Sequence, residues 1–481
     1  MDYKNIFKVL ALINILLSTI FLSDIAIALL YHNAFKKFLL LLLLFLALNI
    51  ALYLFLYKHS IKLTIKESIL LTNLIWILLG FLGALPLFLY SNISFASAFF
   101  EAISGFTTTG ATIYSDIEAL PAMLLFHRSL MHWLGGLGVI VLSIGLLSII
   151  NPTGSISLFK AESTGVELEK LTPKIKYTAL RLWLIYLALT LIDAFLLKLF
   201  GMSYFDAINH AFSTLSTGGF STKNSSLGYY ASNDAIIWTT TLFMILSGIN
   251  FLAHLKFILG DKRAYFAQEV RTYLLIFITL SVVLSLVHAE NFLINLYDSA
   301  KHSFFTIASV MTTTGFASTN YGEWSHLAIA IIFIGMLMGG NSGSTAGGIK
   351  TIRFIIITKA LFAEFRHILH PFSITSIYID RVKIKERILH STFGFILLFL
   401  FTVIIVSAYI YARGFDAMTA VSGAFAIVGN IGPGFAQVCP AENFSFFNDF
   451  DKILFAFAMI VGRLECYTIF ILFSSTFWKK F

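Results

Sequence analysis

The chain is poor in charge and in cysteine. Only 12% of its 481 residues are Asp, Glu, Lys or Arg, whereas 58% are hydrophobic and the mean hydropathy is +0.86. A water-soluble globule of that composition would expose far more apolar surface than such proteins do, so the sequence is read as an all-α polytopic membrane protein. The two cysteines, Cys439 in an expected outer loop and Cys466 deep in the last apolar run, support neither a disulfide framework nor a metal cluster. No nucleophile and base stand in a catalytic arrangement, so no enzyme is expected. His127, His132, His210 and His302 lack metal-ligand spacing, and for His210 and His302, within expected pore helices, a hydrogen-bonded structural role is preferred over proton relay.

Acidic residues are fewer than basic ones, and the net charge is +8. Its distribution follows membrane topology and gives no reason to expect nucleic acid. Segments placed inside (58–67, 151–182, 256–271 and 350–387) hold 20 Lys/Arg against 9 Asp/Glu, and segments placed outside (91–119, 201–234, 289–324 and 412–452) hold 4 against 12. Lys and Arg concentrate in cytoplasmic loops, so both termini are expected in the cytoplasm. Lys36 and Lys37 break the pattern locally. The acidic outer face, with Asp116, Glu118, Glu323 and Glu442, serves either solubility or local cation enrichment. The first apolar run, Phe7 to Tyr31, has no small-residue cleavage site and reads as an uncleaved membrane helix.

What the chain does have is one phrase said four times. Phe106-Thr107-Thr108-Thr109-Gly110-Ala111 recurs as Leu215-Ser216-Thr217-Gly218-Gly219-Phe220, as Met311-Thr312-Thr313-Thr314-Gly315-Phe316 and, more loosely, as Gly429-Asn430-Ile431-Gly432-Pro433-Gly434-Phe435. Taking Gly110, Gly218, Gly315 and Gly432 as the central glycines gives spacings of 108, 97 and 117 residues. Each copy follows a short apolar stretch and precedes a long one, so each unit reads as helix, re-entrant pore helix, polar Thr/Gly strand, helix. The expected layout is a two-helix extension (1–66) and four pore repeats (67–150, 174–260, 265–370 and 384–481), ten spanning helices in all.

Irregular backbone at membrane depth is tolerated only where protein shields it or where it lines a watery cavity. Four such strands around one axis would form a ring of carbonyls able to replace the hydration shell of a potassium ion, with glycine allowing close approach. The candidate ligands are Thr108, Thr109 and Gly110; Ser216, Thr217 and Gly218; Thr313, Thr314 and Gly315; and Asn430, Ile431 and Gly432. Asp206, Asp298 and Asp416, each just after an aromatic residue, are expected to cap the outer ends of the pore helices. The opposite ends would then turn the negative pole of the helix dipole toward a cation.

Two further features are costly in a membrane. The run Gly339-Gly340-Asn341-Ser342-Gly343-Ser344-Thr345-Ala346-Gly347-Gly348-Ile349-Lys350 puts five glycines in ten residues. Each costs roughly 1 kcal/mol in a helix relative to alanine, so the helix should unwind there and supply a gate, with Lys350 at its end. It is not a phosphate-binding loop, because no strand precedes it and Ile349 separates the last glycine from Lys350. Arg463 either snorkels at the inner interface or faces the pore as an electrostatic barrier, and the pore reading is preferred. Pairing with Glu465, two residues on, is not expected.

These motifs together resemble the Trk/Ktr/HKT superfamily of potassium transporters, and among them the TrkH-type membrane subunit. The resemblance covers nearly the whole chain: four filter copies, the Trp133-Leu134-Gly135-Gly136-Leu137-Gly138 run, the glycine-rich segment ending in Lys350, and Gly462-Arg463-Leu464-Glu465. It implies potassium uptake across a bacterial cytoplasmic (inner) membrane, a homodimer with one pore per subunit, and gating by 339–350 with Arg463 in the pore. It also implies a cytoplasmic RCK-type, TrkA-like partner that binds the nucleotide, for which this chain has no domain. Asn430-Ile431 departs from the Thr-Thr pattern and leaves the fourth set of ligands open. A proton- or sodium-coupled secondary transporter and a sodium-permeable relative are the alternatives.

Overall fold

The computed structural model describes residues 3–59, 63–138, 175–289, 296–373 and 376–479. The end of the first unit's closing helix, expected to reach Ile150, and the first part of the segment 151–182 fall outside them.

The N-terminal extension is a helical hairpin, Tyr3–Ile20 continued by Leu22–Leu30, then Lys36–Phe55. The second helix is apolar all round, with Leu40, Leu44, Leu48 and Phe55 exposed on its surface. A helix of that kind needs lipid around it. Asn14 Nδ2 donates to Asn49 Oδ1 (2.9 Å) across the hairpin. Asp24 joins it to the first repeat through His127 Nδ1 at 2.8 Å, with both side chains buried.

Each of the four units opens with a long apolar helix: Ile65–Tyr90, Ile175–Leu199, Gln268–His288 and Glu386–Ala412. A shorter helix follows and turns back into the protein: Phe95–Phe106, Tyr204–Leu215, Leu296–Met311 and Ala417–Val428. At 12 to 16 residues these pore helices span roughly 18–24 Å, too short to cross a hydrocarbon core of about 30 Å. From Ala96 to Phe106 every residue of the first is buried, so it is surrounded by protein.

The closing helices of the first, second and fourth units differ from the straight spans expected, and that of the third is interrupted as expected. In the second unit Asp234–Ser247 and Phe251–Ile258 meet at 94°, and in the fourth Asp449–Arg463 and Tyr467–Phe473 meet at 110°. In the third, His326–Leu337 and Thr351–Leu369 flank the glycine-rich segment, and in the first, Ala122–Trp133 runs into a kink at Gly136. Among the described residues six helices are long and apolar enough to cross unbroken, or eight if each bent pair is one span.

The causes are local. Asn250 caps the new helix by accepting from Leu252 N (2.8 Å), and Glu465 and Cys466 adopt positive φ of 57° and 58°. A two-stranded antiparallel hairpin, Tyr378–Ile379 with Val382–Lys383, links the third and fourth units.

Candidate functional site

The four pore helices end alike. Thr108 N donates to Gly105 O (3.1 Å) and Thr109 N to Ser104 O (2.9 Å); the corresponding pairs are Thr217 to Thr214 and Gly218 to Ser213, Thr313 to Val310 and Thr314 to Ser309, Asn430 to Ile427 and Ile431 to Ala426. This paired pattern is the Schellman termination, whose left-handed residue is usually glycine. Here that place is held by Thr108, Thr217, Thr313 and Asn430, at φ of 53°, 56°, 56° and 54°. A β-branched residue held at positive φ costs of order 1–3 kcal/mol, and such strain collects at functional sites.

The next residue but one is also left-handed, and there it is glycine: Gly110, Gly219, Gly315 and Gly432, at φ of 81°, 87°, 79° and 95°. These glycines close a ring. A Cβ on Gly110 would stand 2.2 Å from Gly218 O, one on Gly219 2.0 Å from Thr314 O, one on Gly315 2.2 Å from Ile431 O, and one on Gly432 2.5 Å from Thr109 O. Each repeat thus touches the next in chain order and the fourth returns to the first, so one axis runs through all four.

This geometry corrects the register of the second copy. Ser216 occupies the helix-cap place of Thr107, and Gly219, not Gly218, is the ring glycine. Gly218 supplies the carbonyl instead, and a Cβ on it would meet the His132 ring at 2.3 Å. The signal was in the sequence: Gly219-Phe220 aligns with Gly315-Phe316. In the divergent fourth copy Asn430 takes the left-handed place and Ile431 the carbonyl place. Asn430 Nδ2 donates to Thr109 Oγ1 (2.9 Å) and Met459 O (3.0 Å).

Packing behind the strands holds their shape. Ser104 Oγ donates to Ala111 O and Ser309 Oγ to Phe316 O, both at 2.6 Å. Glu101 and Arg128, which sequence reasoning passed over, form a buried ion pair at 2.8 Å. Glu101 accepts from Ile113 N (2.9 Å) and Thr112 Oγ1 (2.9 Å), and Arg128 reaches Ser221 O (3.2 Å), so one pair ties the strands of the first two units. His210 bridges Asp206 O and Ser221 Oγ, and His302 meets Ser318 Oγ (2.9 Å).

The capping expectation survives at one acid of three. Asp416 caps its pore helix by accepting from Thr419 N (3.0 Å). In the second unit the cap is Ser203, and Asp206, a turn further on, accepts from Thr222 Oγ1 (2.6 Å) and so ties the start of the pore helix to the strand that follows it. Asp298 lies within the helix and pairs with Lys301 at 3.0 Å. Of the outer acids, Asp116 and Glu118 both bind Asn224, holding the first two outer loops together.

Below the ring lies the glycine-rich segment, unwound as expected. Gly347 N donates to Thr313 Oγ1 (2.6 Å), and a Cβ on Gly347 would stand 2.6 Å from Gly429 O, which puts the segment directly against the pore-helix ends of the third and fourth units. Gly343 and Gly348 have φ of 71° and 65°. Gly339 N and Ile349 O close the base of the loop at 2.8 Å, Gly340 O accepts from Thr351 N (3.1 Å), and Lys350 Nζ folds back onto Ala346 O. Asn341 N donates to Gly248 O (2.8 Å) at the break of the second unit's closing helix, and Glu269 accepts from Ser342 N (2.6 Å).

Arg463 donates to Thr345 O (3.0 Å) of this segment and to Gly135 O (2.7 Å) of the first unit's kinked helix, so it reaches across from the fourth unit to two others. Glu465 does not pair with it; the break turns Glu465 toward Arg353, at 2.5 Å.

Fold and ring together define a multi-pass, four-repeat pore-loop membrane protein. A family model described as TrkH, a cation transport protein, matches residues 34–480. The Trk system potassium uptake protein TrkH of Salmonella typhimurium is 35% identical over 491 aligned positions, covering 100% of both chains. TrkG of Escherichia coli K12 is 35% identical over 431 positions, covering 88% of this chain and 87% of its own. The crystal structure of the potassium transporter TrkH from Vibrio parahaemolyticus superposes with a TM-score of 0.88 at 31% identity, with 100% of each chain covered. The chain belongs to the TrkH family.

Proposed function

We infer that this chain takes up potassium across the bacterial cytoplasmic membrane through the carbonyl ring at the centre of its four repeats, with both termini inside. The closed circuit of glycine-to-carbonyl contacts carries this reading. It supports a ring formed by the carbonyls of Thr109, Gly218, Thr314 and Ile431, and such a ring would replace the water around a potassium ion. The relatives named for potassium uptake support the choice of ion. Thr108, Thr217, Thr313 and Asn430 line the inner end, and the hydroxyl of Thr108 has no partner among the described residues.

The segment 339–350 is the gate: it packs against the inner mouth of the filter and is held by hydrogen bonds that can be exchanged, and Arg463 latches it. A cation below the filter would meet the Arg463 guanidinium, so opening requires both the segment and this charge to move. A homodimer and a cytoplasmic RCK-type, nucleotide-binding partner complete the working system; the Trk-system names of the relatives support a multi-component assembly.

Flux of potassium, rubidium, sodium and lithium into liposomes holding the purified chain, under an imposed potential, tests this. Potassium and rubidium should lead. Flux that requires a proton or sodium gradient would favour a coupled transporter, and equal sodium flux would favour a sodium-permeable protein.

A further inference from the structure

A cleft of about 600 Å³ opens beside the third unit, away from the filter, and the transport reading leaves it unused. Its walls come from the start of the helix Gln268–His288, from the helix Thr351–Leu369, and from the hairpin 378–383. Three cations line it, Arg271, Lys359 and Arg381, against one carboxylate, Asp380. Asp380 Oδ1 already accepts from Gln268 N (2.9 Å). Lys359 Nζ donates to Gln268 Oε1 (2.8 Å) and to Tyr378 O, both neutral acceptors. Neither Arg271 nor Arg381 forms an ion pair with a described residue. Among the described residues the cleft holds three cations against the single carboxylate of Asp380.

Its depth identifies what could supply an anion. Lys359 lies nine residues beyond Lys350, about 13 Å along the helix axis, and Lys350 ends the segment packed under the filter. Taking Lys350 at mid-membrane and the helix along the membrane normal puts Lys359 about 13 Å from the centre, close to the edge of a hydrocarbon half of about 15 Å, from where long basic side chains reach the lipid phosphates. Phe266 and Tyr378, at its rim, are 73% and 51% exposed, as aromatic rings at a membrane interface are.

The same walls hold the gate. Glu269, between Gln268 and Arg271, is the acceptor for Ser342 N, and the helix bearing Lys359 begins at Thr351, whose Oγ1 donates to Gly339 O (2.9 Å). A phosphate drawn between Arg271, Arg381 and Lys359 would clamp the two helices that grip the two ends of the gating segment.

We propose that this cleft binds the phosphate of an anionic phospholipid of the inner leaflet and that the bound headgroup holds the gate closed. The inference rests on the transport reading and its orientation. The chemistry recognised is a phosphate-ester anion, which a free phosphate could also supply.

The test reconstitutes the full-length chain and its Arg271→Ala/Arg381→Ala variant in phosphatidylcholine vesicles with and without one fifth phosphatidylglycerol. Potassium flux is one readout; phosphatidylglycerol retained by the purified protein, measured by mass spectrometry, is another and does not depend on transport. Each basic residue near a surface contributes roughly fivefold to anionic-lipid binding, so retention should fall about 25-fold in the double variant. Phosphatidylglycerol should lower wild-type flux at least twofold and leave variant flux unchanged, while the two proteins conduct equally in phosphatidylcholine alone. Millimolar inorganic phosphate in neutral vesicles separates the sources: equal inhibition overturns the lipid source in favour of a soluble phosphate, and no inhibition supports the headgroup. Retention and flux that ignore both arginines overturn the site. Arginine-dependent retention by a protein that carries no potassium would uphold the site and overturn the transport reading.

Discussion

Gly315 offers the sharpest probe of the ring. Its φ of 79° already disfavours any side chain, at about 1–2 kcal/mol for a left-handed residue. Contact adds the larger effect. The Cβ of Gly315→Ser would stand 2.2 Å from Ile431 O and 2.9 Å from Pro433 Cδ, so reaching even 3.0 Å moves that carbonyl by about 0.8 Å. Both neighbours belong to the filter strand of the fourth unit, so the ring opens at that seam and one carbonyl in four leaves the ion. Tenfold selectivity corresponds to about 1.4 kcal/mol, less than one such ligand is worth to a dehydrated cation, so the potassium-to-sodium flux ratio should drop at least tenfold. The assay is the liposome flux comparison above, with Gly414→Ala as control. Gly414 has a φ of 95° with nothing within 4 Å of a Cβ, so this variant carries the backbone strain without the clash. A Gly315→Ser protein that is folded and as selective as wild type would refute the ring as the selecting element.

Four other outcomes follow from the same geometry. Gly219→Ala should lose selectivity as Gly315→Ser does, because its Cβ meets Thr314 O; Gly218→Ala should instead cost about 1–3 kcal/mol of stability by overpacking His132, read as a lowered Tm in detergent. Arg463→Ala removes both the latch on Thr345 O and a positive charge below the filter, and cation flux should rise about fivefold for an electrostatic barrier of order 1 kcal/mol; unchanged or lower flux at equal expression would refute the barrier. Glu101→Ala leaves Arg128 buried without its partner and frees Ile113 N and Thr112 Oγ1, so unfolding should become easier by about 3–5 kcal/mol, checked by thermal denaturation; a loss under about 1 kcal/mol would contradict the role assigned to the pair.

Much of this architecture was legible because membranes make few demands and make them strictly. Composition alone excluded a soluble globule, and apolar runs of membrane-crossing length marked the opening helices. The Thr/Gly phrase repeated four times, the glycine run at 339–348, and a lone arginine in the last apolar run each announce a cost that only a function repays.

Tertiary contact decided the rest. Spacing alone leaves the second copy's ring glycine open between Gly218 and Gly219; aligning Gly219-Phe220 with Gly315-Phe316 points to Gly219, and the contact with Thr314 O establishes it. The breaks at Gly248–Asn250 and at Glu465–Cys466 lie inside runs long and apolar enough to be taken for single spans; Asn250 caps the new turn locally, whereas the turn after Arg463 sets Glu465 against Arg353, 112 residues away in sequence. Arg463 finds two carbonyls from different units, and Glu101 finds Arg128, for the same reason. A periodic pattern specifies which face of a helix is apolar, but a polar group buried in a membrane takes whichever partner the assembled fold brings within reach, and that partner is invisible until the four repeats close around their common axis.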